Sequence, residues 1–243
     1  MKNGKDRKAE TPSRFYSDVS TRTAPGGWRV LLGDRSLKTP RRAEFMLPTG
    51  ALAEAIAEEW RRQGDRIDIA AMPLTKLANT ALDAVTPNAE AVAGDVLAFA
   101  RRDLTCYRAE RPEALVERQK RHWDPPLAWV DEHFGARLVV TAGVMPVDQP
   151  PASIAALRTA CACLDPFALT ALHVITSLTG SLVLTLAHIA GRLSLAESWA
   201  AAHVDEDFQI EIWGKDLEAR ARRDRRLAEM RAASAFFTLS RKN

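Results

Sequence analysis

Residues 165–192 read DPFALTALHVITSLTGSLVLTLAHIAGR, and no charged residue lies between the Asp and the Arg at its ends. An apolar run of this length could cross a bilayer. However, it contains Ser or Thr at six positions and His at two, and no Trp or Tyr flanks it as an interfacial anchor. We therefore expect a buried central helix or helix pair, with no membrane insertion.

Helical patterns with Ala-rich faces extend on both sides of this stretch, over residues 73–240. Three prolines fall at expected helix starts: Pro87, Pro112 and Pro151. Pro125 and Pro126 should break or kink a helix over residues 113–134. Only residues 137–140 suggest a short extended piece. The pattern predicts a larger all-α domain at residues 73–240.

The chain before this domain is β-rich. Strand-like segments lie at residues 14–20, 28–32, 37–39 and 44–47. Gly33 and Asp34 predict a hairpin turn, and Thr49 can cap a helix that follows. Its apolar face carries Leu52, Ile56 and Trp60. The predicted fold is therefore α+β.

The predicted domains are a disordered tail at residues 1–13, a small domain of antiparallel strands plus a helix at 14–72, and the all-α domain. At 243 residues and 47% hydrophobic content, the chain can bury a real core. A net charge of +3 creates no strong field toward nucleic acid. Three cysteines, an odd number, fit a reducing compartment, and the N-terminus lacks the apolar stretch of a secretory signal.

Motifs for chemistry are missing from the sequence. It has no glycine-rich phosphate loop and no G-x-S-x-G elbow around Ser181. Cys161 and Cys163 are too closely spaced for a structural zinc site, and His173 and His188 are expected to be core residues. We expect no catalytic residue, metal or cofactor, and no enzyme. One alternative is a cysteine-dependent small-molecule enzyme using Cys106, which would need a low thiol pKa.

An Arg-rich stretch over residues 219–231 raises a second alternative, a nucleic-acid-binding module. Acidic residues are interleaved with these arginines at Asp216, Glu218, Asp224 and Glu229. A solvated helix face with local ion pairs is the commoner explanation of this pattern. We expect no nucleic-acid partner.

Ser194 and Glu197 form a capping box that starts a helix. An unbroken helix from there places one stripe at Leu195, Trp199, Ala202, Glu206, Gln209 and Trp213. Apolar residues on its other sides suggest that this helix is well embedded. Glu206 then needs an internal ion pair, or the stripe faces a surface kept open for another protein, and the residues leave both readings open.

Several segments together resemble the family of assembly chaperones that bind the α subunit of the ATP synthase catalytic head. They are RFY at 14–16, GWRVLL at 27–32, LPT at 47–49, MPLTKLANTA at 72–81, CYRA at 106–109, WDP at 123–125, GVMP at 143–146, DFQIE at 207–211 and WG at 213–214. The similarity runs from about Arg14 to about Asp216, and the Arg-rich end resembles the family less.

The resemblance implies a chaperone that binds the unassembled α subunit until the β subunit replaces it, without nucleotide hydrolysis. In this family an acidic residue of the C-terminal helical region matters, and we assign this role to Glu206 first and Glu211 second. With Gln209 and Trp213 they form the expected partner-binding site. The expected location is a bacterial cytoplasm or a mitochondrial matrix, and the expected state is a monomer.

Overall fold

The computed structural model describes residues 12–143, 145–214 and 216–241. The first strands along the chain form a three-stranded antiparallel sheet. Its strands, in spatial order, are β1 (Val19–Ala24), β2 (Gly27–Leu32) and β3 (Arg35–Ser36). Gly33 and Asp34 form the predicted turn between β2 and β3, and Gly33 has a φ of 60°, which favours glycine. The hairpin prediction is confirmed.

The other strand predictions need correction. The strand predicted at residues 14–20 begins only at Val19, and Ser17 before it lies in a bend. The segments at 37–39 and 44–47 make isolated bridges, between Lys38 and Glu44 and between Trp28 and Leu47, instead of strands. Pro40 lies between these segments and has no N–H for a continuous ladder.

Helix α1 (Gly50–Arg61) covers this sheet as predicted. The Thr49 Oγ1 accepts a hydrogen bond from Leu52 N at 3.1 Å, which satisfies one of the free donors of the first turn. The predicted apolar face is buried at Leu52, Ile56 and Trp60. The α+β fold class is confirmed.

Nine further α-helices follow within the residues that the structure describes. They are α2 (Pro73–Thr80), α3 (Ala89–Arg101), α4 (Glu113–Phe134), α5 (Pro151–Ala162), α6 (Pro166–Thr179), α7 (Leu182–Ile189), α8 (Leu195–Ala202), α9 (Val204–Trp213) and α10 (Leu217–Ser240). A π-helical turn at Ala81–Val85 extends α2. Two short parallel strands, β4 (Tyr107–Arg108) and β5 (Thr141–Ala142), lie among them. The extended piece expected at residues 137–140 thus forms its strand just beyond that range.

The uncharged stretch forms the central pair α6 and α7, as predicted. Gly180 ends α6 in the left-handed region, with a φ of 68°, and the Ser181 Oγ caps α7 by accepting from Leu184 N at 3.0 Å. Most residues of both helices are buried. Within the described ranges, no helix has the length and apolarity that a membrane span requires.

Helix α4 is not broken at Pro125 and Pro126, so that part of the prediction is wrong. The two prolines remove two helical N–H donors. Tertiary packing holds the helix across this point, since Trp123 is fully buried and its Nε1 donates to the carbonyl oxygen of Ala201 at 2.7 Å. Val130 is also fully buried.

A buried carboxylate fixes the junction of α6 and α7. Oδ1 of Asp103 accepts from the Ser181 hydroxyl at 2.6 Å and from the Thr105 hydroxyl at 2.8 Å, and Oδ2 accepts from Val183 N at 3.1 Å. Burial raises the pKa of Asp103, and these donors oppose that rise. The network ties the loop after α3 to the start of α7.

Glu59 of α1 caps α2 from outside that helix. Its carboxylate accepts from Leu74 N at 2.7 Å, from Thr75 N at 2.8 Å and from the Thr75 hydroxyl at 2.7 Å. Free N–H groups at a helix start need such an acceptor. Glu59 thereby orients the MPLTKLANTA segment against the first part of the chain.

One hydrophobic core extends across the predicted domain boundary near residue 72. Phe236 and Phe237 of α10 pack in the same cluster as Phe45 and Leu52, together with Phe167 of α6. The Phe167 and Phe236 rings stack with centroids 5.8 Å apart. The division at residue 72 stays a prediction, and most of the predicted tail, residues 1–11, lies outside the described residues.

Candidate functional site

The capping box predicted at Ser194 and Glu197 is present, but the helix that it starts is interrupted at His203. The Nδ1–H of His203 donates to the carbonyl oxygen of Trp199 at 2.8 Å, and the backbone N of His203 turns instead to Ala200 O at 3.2 Å. Because its side chain takes the carbonyl that would continue the helix, α8 and α9 are separate. The predicted unbroken stripe is therefore wrong.

Helix α9 is also not embedded, contrary to prediction. Val204 is its one buried residue, and Trp213 is 85% exposed. Phe208 and Ile212, four positions apart, share one side of the helix, and Ile210 lies on the opposite side, so the apolar side chains do not form one face. Polar contacts to neighbouring helices hold it instead.

An open cleft of about 640 Å³ lies between α9 and the first half of α10. We call it the α9–α10 cleft. It is lined by Glu206, Asp207, Gln209, Ile210, Trp213, Gly214, Asp216, Ala219, Arg220, Arg222, Arg223 and Arg226. Three of the four predicted partner-binding residues, Glu206, Gln209 and Trp213, are among them. Leu217, at the start of α10, is 82% exposed.

The Glu206 carboxylate is open to solvent, with 56% of its side chain exposed. Its described ionic neighbour is the Nε2 of His203 at 4.0 Å. Burial lowers the pKa of His203, so this imidazole is neutral near pH 7 and gives Glu206 no full ion pair. The reading of Glu206 as an internally paired, buried carboxylate is therefore wrong.

Glu211 lies on the opposite side of α9 and is already engaged. Arg118 of α4 donates from Nη1 and Nη2 to its two carboxylate oxygens, both at 2.8 Å. These bonds hold the pKa of Glu211 below its usual value. The Arg118 guanidinium also lies over the Phe208 ring at 5.5 Å, and Gln119 Nε2 donates to Asp205 at 2.7 Å. This side of α9 attaches it to the body.

The arginines of α10 make few of the local ion pairs expected from the sequence. Arg223 pairs with Asp207 of α9, and Nη2 of Arg226 donates to the carbonyl oxygen of Leu178 at 2.8 Å. Arg220 and Arg222 are exposed on the cleft wall, and neither side chain has an ion pair among the residues that the structure describes. The sequence shows an Arg-rich stretch at residues 219–231, but it does not predict that these arginines line a cleft.

The cysteine and serine residues that were considered as catalytic or metal-binding candidates have the surroundings of structural residues. Cys106 is buried, which raises the pKa of its thiol to about 12 and leaves it protonated at neutral pH. Ser181 is a helix cap bound to Asp103. Cys161 is buried while Cys163 is exposed. Across residues 12–143, 145–214 and 216–241, no three His, Cys, Asp or Glu side chains are grouped as metal ligands.

His188 and His173 are half-buried rather than core residues. The His188 Nε2 lies 2.8 Å from the Ser234 hydroxyl, and its Nδ1 lies 3.0 Å from the carbonyl oxygen of Leu193. These contacts tie α7 to α10. They account for His188 as a structural residue.

The cleft is lined by both apolar and charged side chains, so the candidate site of this α+β protein is a surface suited to binding another molecule. A family model described as ATP12 chaperone protein matches residues 13–131. The crystal structure of Atp12 from Paracoccus denitrificans is 46% identical, covers 94% of this chain and 98% of its own, and superposes with a TM-score of 0.91. A mutant of P. denitrificans Atp12p, with lysine in place of an aspartate, matches equally well.

A proposed chaperone from Agrobacterium tumefaciens is 44% identical, with 93% of this chain and 85% of that chain covered and a TM-score of 0.89. The chain belongs to the ATP12 chaperone family. The family resemblance predicted from the sequence is thereby confirmed, and membership supports a chaperone role.

Proposed function

We propose that this protein binds the unassembled α subunit of ATP synthase and prevents its aggregation until the β subunit replaces it. The observation that carries the proposal is the α9–α10 cleft, an exposed apolar and charged surface in a member of a chaperone family. An α subunit made before its β partner exposes the surface that β should cover. A temporary partner has to hide that surface.

Trp213 supplies the main apolar contact in this mechanism. Large exposed aromatic side chains are unusual on a monomer surface, and they contribute strongly to protein interfaces. Ile212 and Leu217, which neighbour the cleft residues Trp213 and Asp216 in the sequence, are also exposed apolar side chains. Gln209 can both donate and accept hydrogen bonds to the client.

Glu206 sets the orientation of the client. Its carboxylate is exposed in the cleft and can pair with a basic group of the α subunit. A charge pair at the edge of an apolar contact contributes mainly to specificity and association rate. Release by the β subunit then needs only competition for the same client surface, without nucleotide hydrolysis or a cofactor.

The proposed setting is a reducing compartment, a bacterial cytoplasm or a mitochondrial matrix, where the free thiols remain reduced. We propose that a single copy of this chain binds one α subunit.

The test is co-expression of this protein with the α subunit of its own ATP synthase, followed by size exclusion chromatography. We expect a complex, more soluble α subunit, and displacement of this protein when β is added. Trp213→Ala should reduce complex formation, whereas Phe15→Ala, which removes an exposed aromatic ring outside the cleft, should not. The absence of a complex and of any effect on α solubility would overturn the proposal.

A further inference from the structure

The Arg-rich part of α10 has no role in the proposed function so far. Two of its side chains, Arg220 and Arg222, are exposed on one wall of the α9–α10 cleft. Arg223 and Arg226 are engaged with Asp207 and with the carbonyl oxygen of Leu178, so they fix this wall in position. The first two arginines remain available to a ligand.

The opposite wall has the opposite charge. Glu206 is exposed there, and Ile210 and Trp213 supply apolar surface between the two charged walls, with Ala219 beside them on α10. Helix α9 contains ten residues, which corresponds to a length of about 15 Å. An occupant that lies along the whole of α9 would therefore match about three helical turns in length.

The cleft walls are helices, whose backbone groups are satisfied internally apart from their ends. Their backbones cannot add an extended strand, so an occupant whose backbone hydrogen bonds are already satisfied internally fits these walls best. A helix does this, and an amphipathic helix in a groove between helices is a common recognition mode.

We propose that the occupant is an amphipathic helix of the client, with acidic side chains against Arg220 and Arg222 and a basic side chain against Glu206. Its apolar stripe lies on Ile210 and Trp213. This inference rests on the proposed function and assigns the Arg-rich segment to client recognition. The opposite charges on the two walls fix the direction in which the helix can lie.

A nucleic acid fits the cleft less well. The lining contains Glu206, Asp207 and Asp216 beside four arginines, so its net charge is close to zero. Phosphate groups would meet carboxylates on one wall, and nucleic-acid sites depend on a surplus of positive charge.

The first test uses the full chain and its own α subunit. Arg220→Glu with Arg222→Glu should weaken binding about tenfold at about 50 mM NaCl, and less at about 300 mM because salt screens exposed charges. The matched control is Arg225→Glu with Arg231→Glu, which makes the same charge change on α10 at exposed positions outside the cleft. It should change affinity less than about twofold. Thermal unfolding of each variant checks that the fold is retained.

The second test places a photo-reactive p-benzoylphenylalanine at Ala219 and maps the crosslinked peptide of the α subunit. We expect a helical segment with acidic residues on one side of its apolar stripe. We call Arg220→Glu with Arg222→Glu the cleft variant. The inference is overturned if the cleft variant binds the α subunit as the wild type does, or if the crosslinked segment lacks this pattern. The proposed function stands in either case.

Retention of the wild type on RNA or DNA is measured alongside. If the cleft variant loses salt-sensitive retention while its α-subunit binding is unchanged, the arginine wall serves nucleic acid and the inference is wrong. If the wild type does not bind the α subunit at all, the proposed function fails and the inference fails with it.

Discussion

Arg118 of α4 and Glu211 of α9, 93 positions apart in the sequence, form a bidentate ion pair in which both N–O distances are 2.8 Å. A paired arginine and carboxylate with this geometry share two parallel hydrogen bonds. Glu206, five residues earlier, has no comparable partner in the described chain and faces the α9–α10 cleft. Glu206 is therefore available to bind a partner and Glu211 is not. The residues next to them in the sequence do not reveal this difference.

Glu206→Gln is expected to weaken α-subunit binding by about tenfold, because a neutral amide loses the charge-assisted contact to the client. Glu211→Gln should leave binding within about twofold of wild type and instead increase hydrogen exchange of α9 amides, since α9 loses its tie to Arg118. Titration calorimetry and hydrogen exchange measure the two effects. If neither substitution changes binding, orientation by an acidic residue is wrong.

Asp103→Asn should lower the free energy of unfolding by about 2–4 kcal/mol. The amide nitrogen cannot accept hydrogen bonds, so at least one buried donor among Ser181, Thr105 and Val183 loses its partner. Urea unfolding at neutral pH measures the change. Asp95→Asn, at an exposed position of α3, is the matched control and should stay within about 0.5 kcal/mol of wild type. Equal effects at both positions would contradict this account of the network.

Glu59→Gln should cost about 1–2 kcal/mol, as loss of a helix cap does. The glutamine keeps the size of the side chain but leaves one of the donors at Leu74 or Thr75 without an acceptor. Chemical unfolding measures the loss, and hydrogen exchange should rise at the start of α2. Glu132→Gln on the exposed side of α4 is the control. Unchanged exchange at α2 would show that Glu59 does not cap it.

His203 should make stability fall on mild acidification. Burial lowers its folded-state pKa below the ordinary value of 6.5, so its contribution is fully present above about pH 6.5 and is lost as pH falls through the folded pKa. One such group changes the free energy of unfolding by at most about 1.4 kcal/mol per pH unit.

Urea unfolding at about pH 7 and about pH 5.5 measures this slope. Wild type should lose stability, and His203→Gln should lose less. Burial also lowers the pKa of His122, so His122→Gln is measured in parallel to separate the two contributions. A His203→Gln slope equal to that of wild type would contradict the prediction.

Local signals in the sequence predicted much of the fold. The caps at Thr49 and Ser194, the turn at Gly33 and the central pair α6 and α7 depend on neighbouring residues, and the structure has all of them. The predicted break at Pro125 failed because Trp123 packs against residues far along the chain. Tertiary packing of this kind overrides a local preference and has no local signature.

The candidate site was predicted in part. Glu206, Gln209 and Trp213 line one cleft, but the sequence could not separate them from Glu211, whose partner Arg118 is distant in sequence. The helix break at His203 depends on which donor takes the Trp199 carbonyl, a competition that residue spacing does not decide. The sequence could not predict the second wall of the cleft, because that wall exists only where α10 lies beside α9 in the folded protein.

Helix α10 also completes the hydrophobic core that contains α1. Thr49 Oγ1 donates to the carbonyl oxygen of Leu239, 190 positions later, and Phe236 and Phe237 fill the space under α1. During synthesis the N-terminal part of a protein generally folds first. Here the core around α1 stays incomplete until residues 236–239 have left the ribosome, so the N-terminal sheet and α1 cannot finish packing before α10 has been made.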